Sequence, residues 1–424
     1  MATEFATRPL LRVATAGSVD DGKSTLIGRL LHDTDSIPPD QLEQIREASV
    51  RRGAIGGVVD LALLTDGLRA EREQGITIDV AYRYFQVAGR KVILADTPGH
   101  EQYTRNMVTG ASTADLGLVL VDARTGLNAQ SRRHAAICAL LRVPAVWCVN
   151  KLDLVGFSQE RYEEIRRDIG ELAAREELDV AGVLPVSALH GDNVATRSAN
   201  TPWYDGPTLL EVLDAAPSVA ATVDGPLRLP VQWVIRPQDE EHPDYRAFSG
   251  RITSGTVRTG DEVLLVPSGH TSRVRSIDVN GAELDEAQAP QSVALRLEDD
   301  VDAARGEVIS DPAFPPIVTR ELQIEVCWMA EQPLEPRSRV LIKHGTTTVK
   351  AVVDALVDRL DAEAFERTPA PEHLMLNDIG HVHLRLGAPI AIVLYREHRA
   401  TGSLILIDEA TNETVGAGMI VSAT

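Results

Sequence analysis

Lys23, Ser24 and Thr25 close the segment Gly17-Ser18-Val19-Asp20-Asp21-Gly22-Lys23-Ser24-Thr25, which fits the pattern G-x-x-x-x-G-K-[ST]. A loop of this kind cradles phosphates with its backbone N–H groups and with the N-terminus of the helix that follows. Lys23 is expected to reach the β- and γ-phosphates, and the Ser24 hydroxyl to ligate Mg²⁺. Two more segments follow in order, Asp96-Thr97-Pro98-Gly99-His100 and Asn150-Lys151-Leu152-Asp153. Asp96 is expected to hold Mg²⁺ through a water, and the Gly99 backbone N–H to meet the γ-phosphate. His100 stands where a side chain can orient an attacking water. Asp153 can accept hydrogen bonds from guanine N1–H and N2–H₂. Adenine lacks the matching donors and would leave a carboxylate unpaired. Asn150 belongs to the same segment, and Lys151 is expected to lay its aliphatic stem over the base. Ser187-Ala188-Leu189 is a weaker signal, expected to give a backbone N–H to guanine O6; only its position supports it. Between these, Glu71-Arg72-Glu73-Gln74-Gly75-Ile76-Thr77-Ile78 supplies Thr77, whose hydroxyl is expected to close on Mg²⁺ and the γ-phosphate. Taken in order, the segments point to GTP, Mg²⁺ and a hydrolysable γ-phosphate.

Such residues need a scaffold that brings them to one edge. Arg12-Val13-Ala14-Thr15-Ala16, Lys91-Val92-Ile93-Leu94-Ala95, Val146-Trp147-Cys148-Val149 and Val183-Leu184-Pro185-Val186 each read as a strand buried in a parallel sheet. Each runs directly into one of the segments above, and ligands of open α/β sheets bind at the carboxyl ends of strands. Helical spacing follows the phosphate loop at 26–31 and recurs at 130–141 and 161–175. The polar stretch 33–66, partly helical over 41–51, fits a lid, a docking surface or a solvated insertion. Near residue 216 the pattern changes. Short strands at 227–235, 246–253, 261–267 and 272–279 are separated by Gly255, Gly260 and Gly269, and Gly281 follows the last of them. Pro312, Pro315 and Pro316 make a stiff connection to a second β-rich segment, which opens at 321–329 and ends at 403–408 and 419–421. The fold class predicted is an α/β P-loop GTPase domain (mostly parallel sheet) followed by two β-barrel domains, at 1–215, 226–315 and 319–424.

The chain has 424 residues and a formal net charge of −20, which argues against a polyanion-binding surface over most of it. No nucleic-acid or membrane partner is expected. The three cysteines, Cys138, Cys148 and Cys327, form no C-x-x-C pair, and Cys148 reads as an inert core thiol. No apolar leader opens the chain and no run reaches membrane-spanning length, so the cytoplasm is the expected location.

Across essentially its whole length the sequence resembles the translational GTPase superfamily. Within that group it is most similar to the large, GTP-hydrolysing subunits of bacterial sulfate adenylyltransferases. The narrower resemblance rests on residues 17–31, 71–85, 96–112, 191–194, 202–213 and 406–420. Elongation factors typically carry histidine after the first loop glycine, where this chain has Ser18. The resemblance implies a heteromeric enzyme. Its small subunit makes adenosine 5′-phosphosulfate and pyrophosphate from ATP and sulfate, and the large subunit drives that uphill step by hydrolysing GTP. The sequence shows no second phosphate loop and no S-G-G-x-D-S loop, so adenylyl transfer is expected on the partner. Some relatives carry a fused kinase; with this chain ending at Thr424, that activity is not expected here. Two rival functions are a translation factor delivering aminoacyl-tRNA and a standalone switch with no coupled chemistry.

Overall fold

The computed structural model describes residues 9–51, 59–64, 80–97, 104–218, 223–237, 245–361, 364 and 366–423. The chain falls into two units that part between Ser218 and Val219.

The first unit is built on a six-stranded sheet. Its strands are β1 (Leu11–Ala16), β2 (Ala81–Val87), β3 (Arg90–Asp96), β4 (Leu116–Asp122), β5 (Ala145–Asn150) and β6 (Val180–Pro185). They lie in the order β2-β3-β1-β4-β5-β6, with all pairs parallel except the β2–β3 hairpin. Every residue of β4 and β5 is buried, which is why these strands read as unbroken apolar runs rather than alternating ones. The chain passes from β1 to β3 on one side and to β4 on the other. The sheet therefore has its switch point at β1, and the crevice it opens lies at the strand's carboxyl end, where Gly17 begins.

Two features fix the rim of this sheet. Helix α1 (Lys23–Asp33) packs closely on a 3-10 turn at Leu61–Leu64: a Cβ on Gly28 would stand 2.2 Å from the Leu61 carbonyl oxygen. Helix α2 (Pro39–Arg51) adds Ile45 to a buried cluster with Leu61 and Leu64. The described parts of 33–66 therefore have an apolar core of their own. A wholly solvated insertion does not describe them. The second feature is Arg90, 4% exposed, whose Nε donates to the Pro9 carbonyl at 3.0 Å. Its Nη1 donates to the carbonyls of Leu213, Asp214 and Ala216, at 3.2, 3.1 and 2.6 Å. These close the C-terminal end of the helix Leu209–Ala215, where carbonyls lack intrahelical partners and the dipole favours a cation. Arg90→Met should remove those bonds while keeping the buried stem. We expect a loss of about 3 kcal/mol, the scale of buried charge-assisted bonds, read as an earlier denaturant midpoint for this unit. An unchanged midpoint would remove Arg90 from the helix end.

The second unit holds two barrels. In the first, β7 (Arg228–Pro230), β16 (Val308–Ser310), β11 (Glu262–Val266), β12 (His270–Val279), β15 (Ser292–Leu297) and β9 (Ala247–Arg251) pair in that order. Arg228 and Thr253 close the ring, the Thr253 N–H donating to the Arg228 carbonyl at 2.8 Å. The single strand expected at 227–235 is instead two, β7 and β8 (Trp233–Ile235). Pro230 has no N–H to continue a ladder. Beyond it the Val231 N–H donates to Glu307 and the Gln232 N–H to Ser249, so the chain changes partner strands. In the second barrel, β17 (Ile317–Trp328), β24 (Thr414–Ala423), β23 (Ser403–Ile407), β18 (Arg339–His344), β19 (Thr347–Leu356) and β22 (Ile379–Ile392) form a ring, which the β17–β22 pairing closes. Each barrel has its own apolar core, around Phe248 and Leu265 in one and Ile324 and Leu384 in the other. The architecture is thus an α/β domain followed by two β-barrels. Among the described residues, no helix is long and apolar enough to cross a membrane. All three cysteines are buried; burial pushes Cys138 and Cys148 up to about 12, which leaves both protonated and unreactive.

Candidate nucleotide site

The phosphate loop starts where β1 ends. Gly22 lies at φ 92°, ψ 27°, and a Cβ there would stand 2.5 Å from Asn150 Nδ2, so both conformation and space call for glycine. Lys23 then opens α1. No side chain caps this helix, whereas Asn128, Ser158 and Thr208 cap the helices at 129–140, 159–176 and 209–215. An N-terminus left without a capping side chain, behind a glycine loop, fits an oxyanion. The Lys23 ammonium sits inside the loop, donating to the carbonyls of Gly17 and Ser18 at 2.7 and 2.9 Å. Burial lowers its pKa, and the carboxylates of Asp21, Asp96 and Asp20 resist. Asp21 is 4% exposed and holds the loop's shape by accepting from the Ser18 N–H at 2.6 Å. Burial raises its pKa, against that bond and the Lys23 charge. Val19 and Asp20 form the exposed crest, while Ser24 and Thr25 lie half-buried in the first turn of α1.

Asp96 ends β3 beside β1 and is 1% exposed. The next residue, Thr97, is tied to β1 by a 2.5 Å bond from its hydroxyl to the Thr15 carbonyl. The chain therefore leaves the sheet alongside the phosphate loop. Ser24 and Asp96 offer a hydroxyl and a carboxylate on adjoining elements, and Asp96 is close enough to act on Lys23; these are oxygen donors suited to a hard cation such as Mg²⁺. Thr77, Gly99 and His100 lie outside the described residues.

Asn150 ends β5 and joins three segments. Its Nδ2 donates to the Asp21 carbonyl at 2.7 Å, and its Oδ1 accepts from the Ala188 N–H at 2.9 Å. Lys151, at φ 60°, carries its ammonium to the Asp20 carbonyl and to Asp122 Oδ2, 3.0 Å away. Asp153 accepts from the Ser187 hydroxyl through Oδ1 at 2.7 Å, and its Oδ2 lies 3.9 Å from His190 Nε2. The described residues of the three segments quoted from sequence, together with Ser187, Ala188 and Leu189, thus share one carboxyl edge.

Three further residues belong to this edge. Asp122, at the end of β4 and level with Asn150, pairs with Lys151 and with Arg124 at 2.6 Å. Burial raises its pKa, but the bonds from Arg124 and Lys151 outweigh that and hold it at about 2. Arg29 on α1 donates to the carbonyls of Ala188 and Leu189 at 3.2 and 2.5 Å, fastening that loop to the phosphate-loop helix. Ser18 donates its hydroxyl to Asn128 Oδ1 at 3.0 Å, the same oxygen that caps the helix Ala129–Leu140. A charged residue at the end of an apolar strand was the one available sequence signal, and it applied to Asp122 alone.

Residues 8–218 match the model of the elongation factor Tu GTP binding domain. Residues 248–310 match elongation factor Tu domain 2, and 321–421 the GTP-eEF1A C-terminal domain-like family. The chain is 50% identical over 414 residues to the bifunctional enzyme CysN/CysC of Mycobacterium tuberculosis, an alignment covering 97% of this chain and 67% of that one. It is 48% identical to sulfate adenylyltransferase subunit 1 of Aeromonas hydrophila, covering 98% and 86%. With the protein of the same name from Methylorubrum extorquens it shares 49% identity, covering 97% and 87%. On these grounds the chain belongs to the sulfate adenylyltransferase subunit 1 family of elongation-factor-type GTPases.

Proposed function

We propose that the chain binds GTP with Mg²⁺ at this edge, hydrolyses it, and couples the hydrolysis to adenosine 5′-phosphosulfate synthesis on a small catalytic partner subunit in the cytoplasm. The observation that carries the nucleotide reading is Asn150. One buried amide links the phosphate loop to the segment holding Asp153 and Ala188, so groups for phosphate and groups for a base are fixed at one spacing. In this reading Gly17, Ser18, Val19, Asp20, Asp21, Gly22 and Thr25 shape or line the phosphate cradle. Lys23 exchanges a loop carbonyl for a phosphate oxygen, and Asp153 reads guanine. The Ser187-Ala188-Leu189 segment offers a backbone N–H to guanine O6, the Ala188 N–H itself being held by Asn150. Ser24, Asp96 and Thr77 hold Mg²⁺, which when bound neutralises charge developing between the β- and γ-phosphates. Gly99 and His100 serve the γ-phosphate and the water.

The coupling reading is supported by the family and by the absence of a second phosphate loop in the sequence, which leaves the chemistry of ATP and sulfate to the partner. The test is to co-purify the chain with its partner and follow pyrophosphate release from ATP and sulfate with and without GTP. GTP is expected to raise the yield, with GDP and phosphate appearing in step. GTP turnover that responded to ribosomes and ignored ATP and sulfate would replace this reading with that of a translation factor.

A further inference from the structure

Within the second unit, a cavity of about 200 Å³ lies where the two barrels meet. Its apolar walls come from both, Pro230 and Val308 from the first and Ala391 and Ile392 from the second. Arg228 lines the same space and is 7% exposed. A buried guanidinium ordinarily faces a carboxylate, because an uncompensated charge away from water is costly. Here Nη1 and Nη2 donate to the carbonyls of Leu227 and Phe314, at 2.8 and 2.5 Å, and the buried Nε–H has no partner. Among the described residues no carboxylate forms an ion pair with Arg228. Burial lowers its pKa, and Asp311 and Glu397 oppose that only from longer range.

Several other polar groups of the wall are already engaged. Thr253, Thr346 and Thr347 direct their hydroxyl protons to the carbonyls of Arg228, Val231 and Gly306, at 3.0, 2.9 and 2.7 Å. His344 bonds the Ser403 carbonyl through Nδ1 at 2.9 Å, and burial lowers its pKa, which keeps it neutral. The wall therefore presents the buried Arg228 cation, with Arg251 and Gln232 as further polar lining, set among apolar surfaces. That combination selects an anionic head with a compact apolar body, the composition expected of a pocket with few placed polar groups.

We propose that this junction is a binding site for a small organic carboxylate, its head on Arg228 and its body against Pro230, Val308, Ala391 and Ile392. The site is separate from the nucleotide edge, and a ligand there bridges the two barrels. Calorimetric titration of the full chain with benzoate tests it, with benzyl alcohol as the neutral control of similar shape. We expect saturable one-to-one binding of benzoate, with benzyl alcohol at least tenfold weaker. Arg228→Met should abolish that preference for charge. Should Arg228→Met fail to fold, Val308→Phe fills the cavity without touching the cation and is expected to weaken benzoate at least tenfold. Equal binding of the two probes, no saturable binding, or unchanged benzoate affinity in Val308→Phe would overturn the proposal and leave Arg228 a strut between barrels.

Discussion

Asp153→Asn is expected to weaken GTP binding by several kcal/mol, the sum of two lost bonds at about 1–3 kcal/mol each. That corresponds to roughly a hundredfold or more in affinity. The geometry makes this substitution a clean probe. Asp153 Oδ1 accepts from the Ser187 hydroxyl at 2.7 Å, and asparagine keeps an oxygen able to take that bond. The change therefore falls on the second oxygen, which becomes an N–H₂ group facing the two guanine donors. Donor against donor in a site where the Asp153 side chain is only 14% exposed cannot be relieved by water at low cost. Xanthosine triphosphate presents an oxygen at C2, and the variant should bind it more tightly than the parent does. Titrating both nucleotides against both proteins checks the pair of shifts. Undiminished GTP affinity in the variant would remove Asp153 from the base site, whatever happened to the rest of the edge.

What the sequence made legible was the part of the site in which chemistry and chain order coincide. Asp96 and Asn150 each end an apolar run, and a buried strand followed at once by polar residues marks the carboxyl edge of a parallel sheet. The barrels showed themselves through turn glycines and short alternation. The order of strands did not, because pairing β17 with β22 and β24 is set by packing across long loops and not by local pattern. Arg29 and Asn128 stayed hidden for a related reason. Arg29 meets its carbonyl partner 159 residues away, and Ser18 meets Asn128 across 110. Helical spacing explains Arg29 equally well as a solvated face residue. The packed turn at 61–64, though all four of its residues are apolar, was missed because the run is short and its cover, Gly28, has no side chain to announce a close approach. The interruption at Pro230 was readable, since proline cannot continue a ladder.

His100→Ala is expected to slow GTP hydrolysis by ~10²-fold or more while leaving GTP affinity almost unchanged, in line with the loss of one positioning or acid–base group. Phosphoryl transfer asks little covalent chemistry of a protein; positioning and charge stabilisation supply most of the acceleration. A side chain that only orients water acts on the transition state more than on the bound ground state, so its removal shows in turnover and not in binding. Thr97, three residues earlier and next to Asp96, is buried and bonded to β1 through Thr15. Single-turnover hydrolysis, with nucleotide affinity measured separately, distinguishes the two effects. Normal hydrolysis in the variant would assign the water to another group, and Asp20, on the exposed crest of the loop with φ 72°, would be the next to test. Mixed with its partner subunit, the variant should still assemble and should lose the GTP-stimulated yield of adenylyl sulfate. Slow hydrolysis with full stimulation would mean that GTP binding alone moves the partner. The chain would then act as a switch, because a subunit that couples energy must lose its drive when cleavage stops.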